Sequence, residues 1–137
     1  MIDIKMIQKT IDYIEANLVQ KIELDHVAEN AFISKFHYTR IFHSVVGTPI
    51  VEYIRRRRLT EAAKELLETD KKIIDIALKY QFGSQEAFTR AFKKMFHISP
   101  MGFRKLKCEI QLFERINIIQ IKAAKAEEYQ KPICMAA

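Results

Sequence analysis

The chain contains the same short helical pattern twice, in two segments about 50 residues apart. In residues 84–96, apolar side chains recur at i, i+3, i+4 and i+7, so they share one face of a helix and polar side chains occupy the opposite face. Residues 34–46 repeat this arrangement, and four pairs of positions are identical: Ser34, Thr39, Arg40 and Phe42 with Ser84, Thr89, Arg90 and Phe92. This duplication predicts two similar structural units, each with its own polar face.

Each copy is preceded by a second amphipathic segment and a tight turn. Residues 24–31 precede the first copy, and residues 72–80 precede the second. Two short helices joined by a turn of about three to four residues form a helix-turn-helix. We therefore predict helix-turn-helix units at about 24–46 and about 72–96.

A long segment without a helix breaker joins the two units. Thr48 is suited to cap a helix and Pro49 to occupy its first position, and neither Gly nor Pro follows before residue 69. We therefore predict a linker helix over about 49–69, which at about 1.5 Å per residue is roughly 30 Å long. Its two ends are apolar, whereas the consecutive arginines Arg55–Arg58 occupy its middle. This pattern predicts a rod whose ends belong to two separate cores.

The remaining sequence up to Leu106 also favours helices. Residues 5–18 carry apolar side chains at helical spacing, and Ser99 with Pro100 begins a last short helix that ends near Leu106. Only three Gly and three Pro occur among 137 residues, which disfavours a loop-rich or all-β fold. The sequence therefore predicts an all-α fold of seven helices in residues 1–106.

Composition restricts the class of function. The formal net charge of +6 and the pI near 9.3 suit a nucleic-acid partner. Cys108 and Cys134 have no spacing typical of a zinc site, so we expect reduced thiols, no metal and no cofactor. There is no signal peptide and no apolar run of ~18–20 residues, so we expect a cytoplasmic protein with no membrane partner. The four histidines match no metal-ligand or catalytic spacing, and an enzyme is the least favoured class.

Two polar helices at the ends of a stiff rod fit double-stranded DNA. A major groove admits one α-helix, and successive groove segments on one side of the duplex lie about 34 Å apart. Arginine can bond to guanine, glutamine to adenine, and glutamate to the N4 amino group of cytosine, while an exposed aromatic ring can contact a thymine methyl group. A non-specific, architectural DNA-binding protein with the same basic surface is the competing interpretation.

The same residues also have ordinary structural explanations. Arg90 could pair with Glu86 one helical turn away, a contact worth only ~0.2–0.5 kcal/mol. Phe36 could be buried by a neighbouring turn, and Arg55–Arg58 could form a solvated face. The recurrence of Thr39 as Thr89 favours a functional role, because packing alone does not explain a duplicated outward face.

Several short motifs are distributed along residues 5–106. They are Ser34-x-x-x-x-x-Arg40-x-Phe42, Gly47-x-Pro49, Tyr53-Ile54-Arg55-x-Arg57-Arg58-Leu59, Ala62-Ala63, Ile76-Ala77, Ser84-Gln85-x-x-Phe88-x-Arg90-x-Phe92-Lys93 and Ser99-Pro100-x-x-x-Arg104. In these motifs the chain resembles the DNA-binding module of AraC/XylS-type transcription regulators, and most closely the short MarA, SoxS and Rob branch. The resemblance implies seven helices and a monomer that binds and bends an asymmetric double-stranded DNA site through two recognition helices in adjacent major-groove segments. It also implies a bacterial activator that contacts RNA polymerase.

The resemblance also implies which residues contact DNA. By position, its base-contacting residues correspond to Phe36, Thr39, Arg40, Gln85, Glu86, Thr89 and Arg90. For the phosphates we predict contacts from hydroxyl and basic residues on the same helices and on the linker, namely Ser34, Lys35, Arg55, Arg57, Ser84 and Lys93. The operator sequence does not carry over, because Phe36 and Glu86 replace residues that vary within the branch.

Three positions depart from the family pattern. Phe32 and Gln81 stand in the two turns where the family commonly has Gly, and His97 stands where it has Gly or Asp. If the backbone needs a positive φ at these positions, each substitution costs on the order of 1 kcal/mol.

Residues 107–137 form an extension whose structure the sequence leaves open. Its isoleucines fit either alternating strands or a continued helix, and helix is favoured, especially over residues 123–129. Glu109–Lys122 also resembles the first strand of the effector-binding domain that follows the module in Rob-like members.

Overall fold

The computed structural model describes residues 4–118, and within them it has seven helices and no strand, which confirms the predicted all-α fold. None of these helices is both long enough and apolar enough to cross a membrane. The predicted helix over 123–129 and the end of the possible strand at Lys122 lie outside the described residues. The helices are α1 (Ile4–Ala16), α2 (Leu24–Asn30), α3 (Lys35–Val46), α4 (Ile50–Glu68), α5 (Ile73–Lys79), α6 (Gln85–Phe96) and α7 (Pro100–Leu106).

Serine side chains begin three of the helices. The hydroxyl oxygens of Ser34, Ser84 and Ser99 accept backbone N–H bonds of 3.1, 3.0 and 3.0 Å at the starts of α3, α6 and α7. The prediction that Thr48 caps the linker helix is wrong. Pro49 is the capping residue, and because it keeps an extended backbone with ψ of 143°, the helix begins at Ile50.

Two separate hydrophobic cores occupy the two ends of α4, as the arginine run in its middle predicted. The first core joins α1, α2 and α3 to the start of α4, where Tyr53 is fully buried. The second joins the end of α4 to α5, α6 and α7, and its centre is formed by Phe88 and Phe92. Because α4 contributes side chains to both cores, it connects the two helix-turn-helix units.

The three positions that depart from the family pattern all have a left-handed backbone. Phe32 has a φ of 59°, Gln81 of 69° and His97 of 63°. Phe32 and Gln81 occupy equivalent places, since the next residue in each turn donates a backbone N–H back to the last turn of α2 or α5. The condition for a cost of about 1 kcal/mol at each position is therefore met.

Residues 107–117 form neither a helix nor a strand, so the favoured helical interpretation of this segment is wrong. Two of its backbone N–H groups donate to side chains of α4. Phe113 donates to Thr60 Oγ1 at 3.0 Å, and Ile116 donates to the Tyr53 hydroxyl oxygen at 3.1 Å. These acceptors attach the segment to α4.

Candidate nucleic-acid interface

The helices α3 and α6 are equivalent in length, capping and burial. Each has 12 residues, begins after a serine cap and ends in a left-handed residue. Tyr38 and Phe42 of α3 are 3% and 0% exposed, and their equivalents Phe88 and Phe92 are both 0% exposed. Aromatic packing therefore fixes the rotation of both helices about their axes and turns equivalent faces outward.

The outward face of α6 carries hydrogen-bonding groups that are not engaged. Gln85, Glu86, Arg90 and Lys93 are exposed, and Thr89 is partly buried. Within residues 4–118, no hydrogen bond or ion pair joins Arg90 to Glu86, so the surface salt bridge considered from the sequence does not form. Neither group has another hydrogen bond or ion pair in the part of the chain that the structure describes, so both can meet an external partner.

The outward face of α3 has the same layout with a more apolar start. Arg40 is exposed, and Phe36 is 84% exposed, which excludes burial of that ring by a neighbouring turn. The Thr39 hydroxyl donates to the Phe36 carbonyl oxygen at 2.9 Å, and Lys35 lies 3.8 Å from Asp25. Among residues 4–118 the Arg40 guanidinium has no hydrogen bond or ion pair, and together with the exposed phenyl ring beside it suits a surface that is covered when a partner binds.

The structure corrects the role predicted for Arg57. This side chain is 3% exposed, and its guanidinium donates to Glu15 at 2.5 and 3.0 Å, to Glu61 at 3.1 Å and to the Phe113 carbonyl oxygen at 2.7 Å. Burial lowers the pKa of Arg57, but the hydrogen bonds and charges of Glu15 and Glu61 outweigh burial and raise it. The prediction that Arg57 contacts phosphate is wrong, because its donors are used inside the protein.

The three neighbouring arginines differ from one another. Arg55 is exposed and paired with Glu52, and the hydrogen bond from Arg55 is the main reason that the pKa of Glu52 is lowered. Arg56 shares the same carboxylate at 3.1 Å, and its guanidinium carbon lies 5.6 Å from the centre of the Phe113 ring. Arg58 donates to the carbonyl oxygens of residues 18 and 20 at 2.9 and 2.7 Å. Of the two linker residues predicted to contact phosphate, Arg55 is the one whose position permits it.

The other predicted phosphate contacts lie at accessible places. Ser34, Lys35 and Lys93 are exposed, and Ser84 is partly buried at the start of α6. Both serine hydroxyl oxygens accept a backbone N–H, which leaves the hydroxyl hydrogen of each for another acceptor. These contacts stay predictions.

Sequence reasoning assigned no functional role to two residues of the turns. Phe32 is 94% exposed and lies just before the start of α3. Both its exposure to water, as an apolar side chain, and its left-handed backbone are unfavourable. Gln81 in the equivalent turn donates from Nε2 to the Val19 carbonyl oxygen at 2.9 Å and so links the second unit to the connection between α1 and α2. The departure from Gly at both positions was the available signal, but it did not distinguish the exposed side chain from the one that forms a bridge.

Known proteins share both the sequence and the fold of this module. Residues 27–106 match the helix-turn-helix domain family. The chain is 53% identical over 100 residues to the uncharacterized HTH-type transcriptional regulator YbfP of Bacillus subtilis (strain 168), an alignment that covers 73% of this chain and 34% of YbfP. It is 48% identical over 99 residues to the HTH-type transcriptional activator AarP of Providencia stuartii, which covers 72% of this chain and 73% of AarP.

A solved structure extends the likeness to three dimensions. The crystal structure of a transcriptional regulator with an AraC-type DNA-binding domain from Chromobacterium violaceum superimposes with a TM-score of 0.69 at 26% identity, covering 77% of this chain and 94% of that one. This chain therefore spans about a third of the length of YbfP, but most of AarP and nearly all of the solved structure.

Proposed function

This chain belongs to the AraC-type helix-turn-helix family of transcription regulators, and from that premise we propose that it recognises one asymmetric site on double-stranded DNA. In this proposal α3 and α6 enter adjacent major-groove segments on the same side of the duplex. The observation that carries it is the pair of equivalent outward faces, one at each end of α4, that are exposed and have few partners among the described residues.

The length of α4 supports simultaneous binding by both helices. Its 19 residues span roughly 28 Å at about 1.5 Å per residue. Adjacent major-groove segments on one side of B-DNA are about 34 Å apart. A rod of this length brings two helices packed at its ends to the right scale of separation.

The side chains on the two faces can distinguish bases. In α6, Arg90 would donate to guanine, Gln85 would bond to adenine, and Glu86 would accept from cytosine N4. In α3, Arg40 is the equivalent donor, and the exposed ring of Phe36 would contact a thymine methyl group. Thr39 and Thr89 recur between these residues and would contact base edges beside them.

Activation is the regulatory direction that we propose, with RNA polymerase as the protein partner and a monomer as the DNA-binding species. AarP, which this chain matches over 73% of its length, is named a transcriptional activator. Two different recognition faces on one chain suit an asymmetric site, which needs no second copy of the protein. The site of action would then be the bacterial cytoplasm, where the DNA is.

Selection of bound DNA from a random pool, followed by electrophoretic competition over a series of salt concentrations, tests the proposal. We expect one enriched site whose binding is roughly 10³-fold or more tighter than that of unrelated DNA at the same salt. Lys93→Ala is the matched control on α6, because loss of a phosphate contact should weaken all sequences alike and reduce the salt dependence by about one counterion. If every sequence competes equally, the protein is a non-specific or architectural DNA-binding protein and the proposal fails.

A further inference from the structure

Residues 107–118, which we call the strap, cross from the core of the second helix-turn-helix unit to the core of the first. Ile110 packs against the second core, where Phe88 and Phe92 lie. Phe113 and Ile116 pack against the first core, and Ile118 is 2% exposed within it. The strap therefore touches both units, as α4 does, and runs beside α4.

One face of α4 supports the middle of the strap. Tyr53, Arg57, Thr60 and Lys64 are spaced at i, i+4, i+7 and i+11, so their side chains line one stripe of the helix. The side chains of the first three form hydrogen bonds with backbone atoms of the strap. The ammonium group of Lys64 bonds to the carboxylate of Glu114 in the strap at 3.1 Å. At the far end, the N–H of Ile118 donates to Gln8 Oε1 of α1 at 3.0 Å.

Arg57 connects this stripe to the first unit. Its planar guanidinium donates in three directions: to Glu15 of α1, to Glu61 of α4 and to the carbonyl of Phe113 in the strap. Arginine is suited to such a position because its donors form a rigid fork. Arg57 also lies between the two cores, where α4 has no apolar packing of its own.

We infer that the strap, anchored by Arg57, fixes the distance and the angle between α3 and α6 without contacting DNA. The inference rests on the proposed function, since it concerns the simultaneous binding of both helices. Once α3 is bound, binding of α6 is an intramolecular step. Its free energy depends on the effective concentration of α6 at its half of the DNA site, which is higher when fewer positions are open to α6. Arg57 and the strap are thus positioning elements for DNA recognition. The side chains to which the strap bonds lie on α1 and α4, outside the predicted base-contacting set.

A strap variant can release this segment while the core side chains of α1, α2 and α3 stay unchanged, although Phe113→Ala removes a ring that packs against the first core. Tyr53→Phe and Thr60→Val remove both hydroxyl acceptors and keep the shapes of the side chains, and Phe113→Ala removes the ring whose centre lies 5.6 Å from that of Tyr53. The freed N–H groups of residues 113 and 116 regain hydrogen bonds only if the strap lifts into water. Arg115→Gln is the control within the strap, because the ion pair of Arg115 with Asp12 is exposed and contributes little.

The assay varies the spacing between the two halves of the selected DNA site. Inserting or removing one base pair moves one half by about 3.4 Å and rotates it by roughly 35° about the duplex axis. Affinities are measured for the selected spacing, for both altered spacings and for DNA with a single half-site. Amide hydrogen exchange at Ile116 and Ile118 reports whether the strap is released, and far-UV circular dichroism reports whether the helices persist.

We expect the strap variant to bind single half-site DNA as the wild type does, and the selected two-half site about tenfold more weakly. Its preference for the selected spacing over the altered spacings should fall by about the same factor, because a looser α6 tolerates more positions. Arg115→Gln should behave as the wild type on every DNA.

Four results would overturn the inference. An equal loss of affinity on all DNAs, including the single half-site, would mean that the strap only stabilises the fold. If amide exchange at Ile116 is rapid in the variant but its spacing preference is unchanged, release of the strap does not affect the relative position of α3 and α6. If exchange stays slow in the variant, the removed hydrogen bonds and ring are not what holds the strap in place. If the variant does not fold, Tyr53→Phe alone is measured by the same criteria. A wild type that binds one half-site as tightly as two would refute two-helix binding itself, and the inference with it.

Discussion

Arg57→Met tests how much the buried charge of Arg57, at the centre of α4, contributes to the free energy of unfolding. Methionine keeps an unbranched side chain but removes the guanidinium, so Glu15 and Glu61, whose side chains are 15% and 29% exposed, lose their buried partner. The Phe113 carbonyl oxygen also loses its donor. Removing one partner of a buried ion pair costs about 3–5 kcal/mol. Since Glu61 keeps the ammonium group of Lys64 at 3.0 Å, we expect a loss of unfolding free energy of about 3–4 kcal/mol.

Urea unfolding followed by far-UV circular dichroism measures this loss. At about 4 °C per kcal/mol for a domain of this size, the melting temperature should fall by about 12–16 °C. The control is Arg55→Met on the same helix, whose exposed pair with Glu52 should contribute about 0–1 kcal/mol. Adding Glu15→Gln to Arg57→Met should recover part of the loss, because it removes the carboxylate left without a partner. If Arg57→Met costs no more than Arg55→Met, the argument from buried charge is wrong.

Two further predictions concern the turns and the pH dependence of stability. Phe32→Gly should raise the unfolding free energy by about 1 kcal/mol, since the ring is 94% exposed and the backbone is left-handed. Gln81→Gly should raise it by less, because that substitution also removes the hydrogen bond to Val19. An equal or larger increase for Gln81→Gly would contradict this. Burial raises the pKa of Glu61, but the hydrogen bond from Lys64 and the charge of Arg57 outweigh burial and hold that pKa below its ordinary value of 4.5. The stability that Glu61 supplies is therefore complete above pH 4.5 and is lost as the pH falls through its lowered pKa. Urea midpoints should fall more steeply below pH 4.5 in the wild type than in Glu61→Gln, and parallel curves would refute the assignment.

The fold was predictable because its signals are local. Ser34 and Ser84 cap helices by accepting from an N–H group three residues ahead. Phe88 and Phe92, which share the buried face of α6, are only four residues apart in the sequence. The two cores followed from a helix that is apolar at both ends and carries arginines in its middle. Each of these inferences compares residues that are close together in the sequence.

Arg57 and the strap could not be predicted in the same way. The partners of Arg57 in α1 and in the strap are 42 and 56 residues away in the sequence, so the run Arg55–Arg58 gives no sign of which arginine is buried. The path of residues 107–117 depends on the hydroxyl groups of Tyr53 and Thr60, which in the sequence look like any other polar positions of a helix. The roles assigned to Arg40 and Arg90 rest on exposure and on family position, and they stay predictions until DNA binding is measured.

Specificity profiles of the wild type, Arg40→Ala and Arg90→Ala test most directly whether both outward faces contact bases. Each substitution should weaken binding to the selected site by about 1–3 kcal/mol and relax the preference at one base position. Because the two arginines occupy equivalent places on α3 and α6, which we propose enter adjacent groove segments, the two relaxed positions should lie about 10 base pairs apart. Profiles that relax at the same position, or that weaken without relaxing anywhere, would contradict the account.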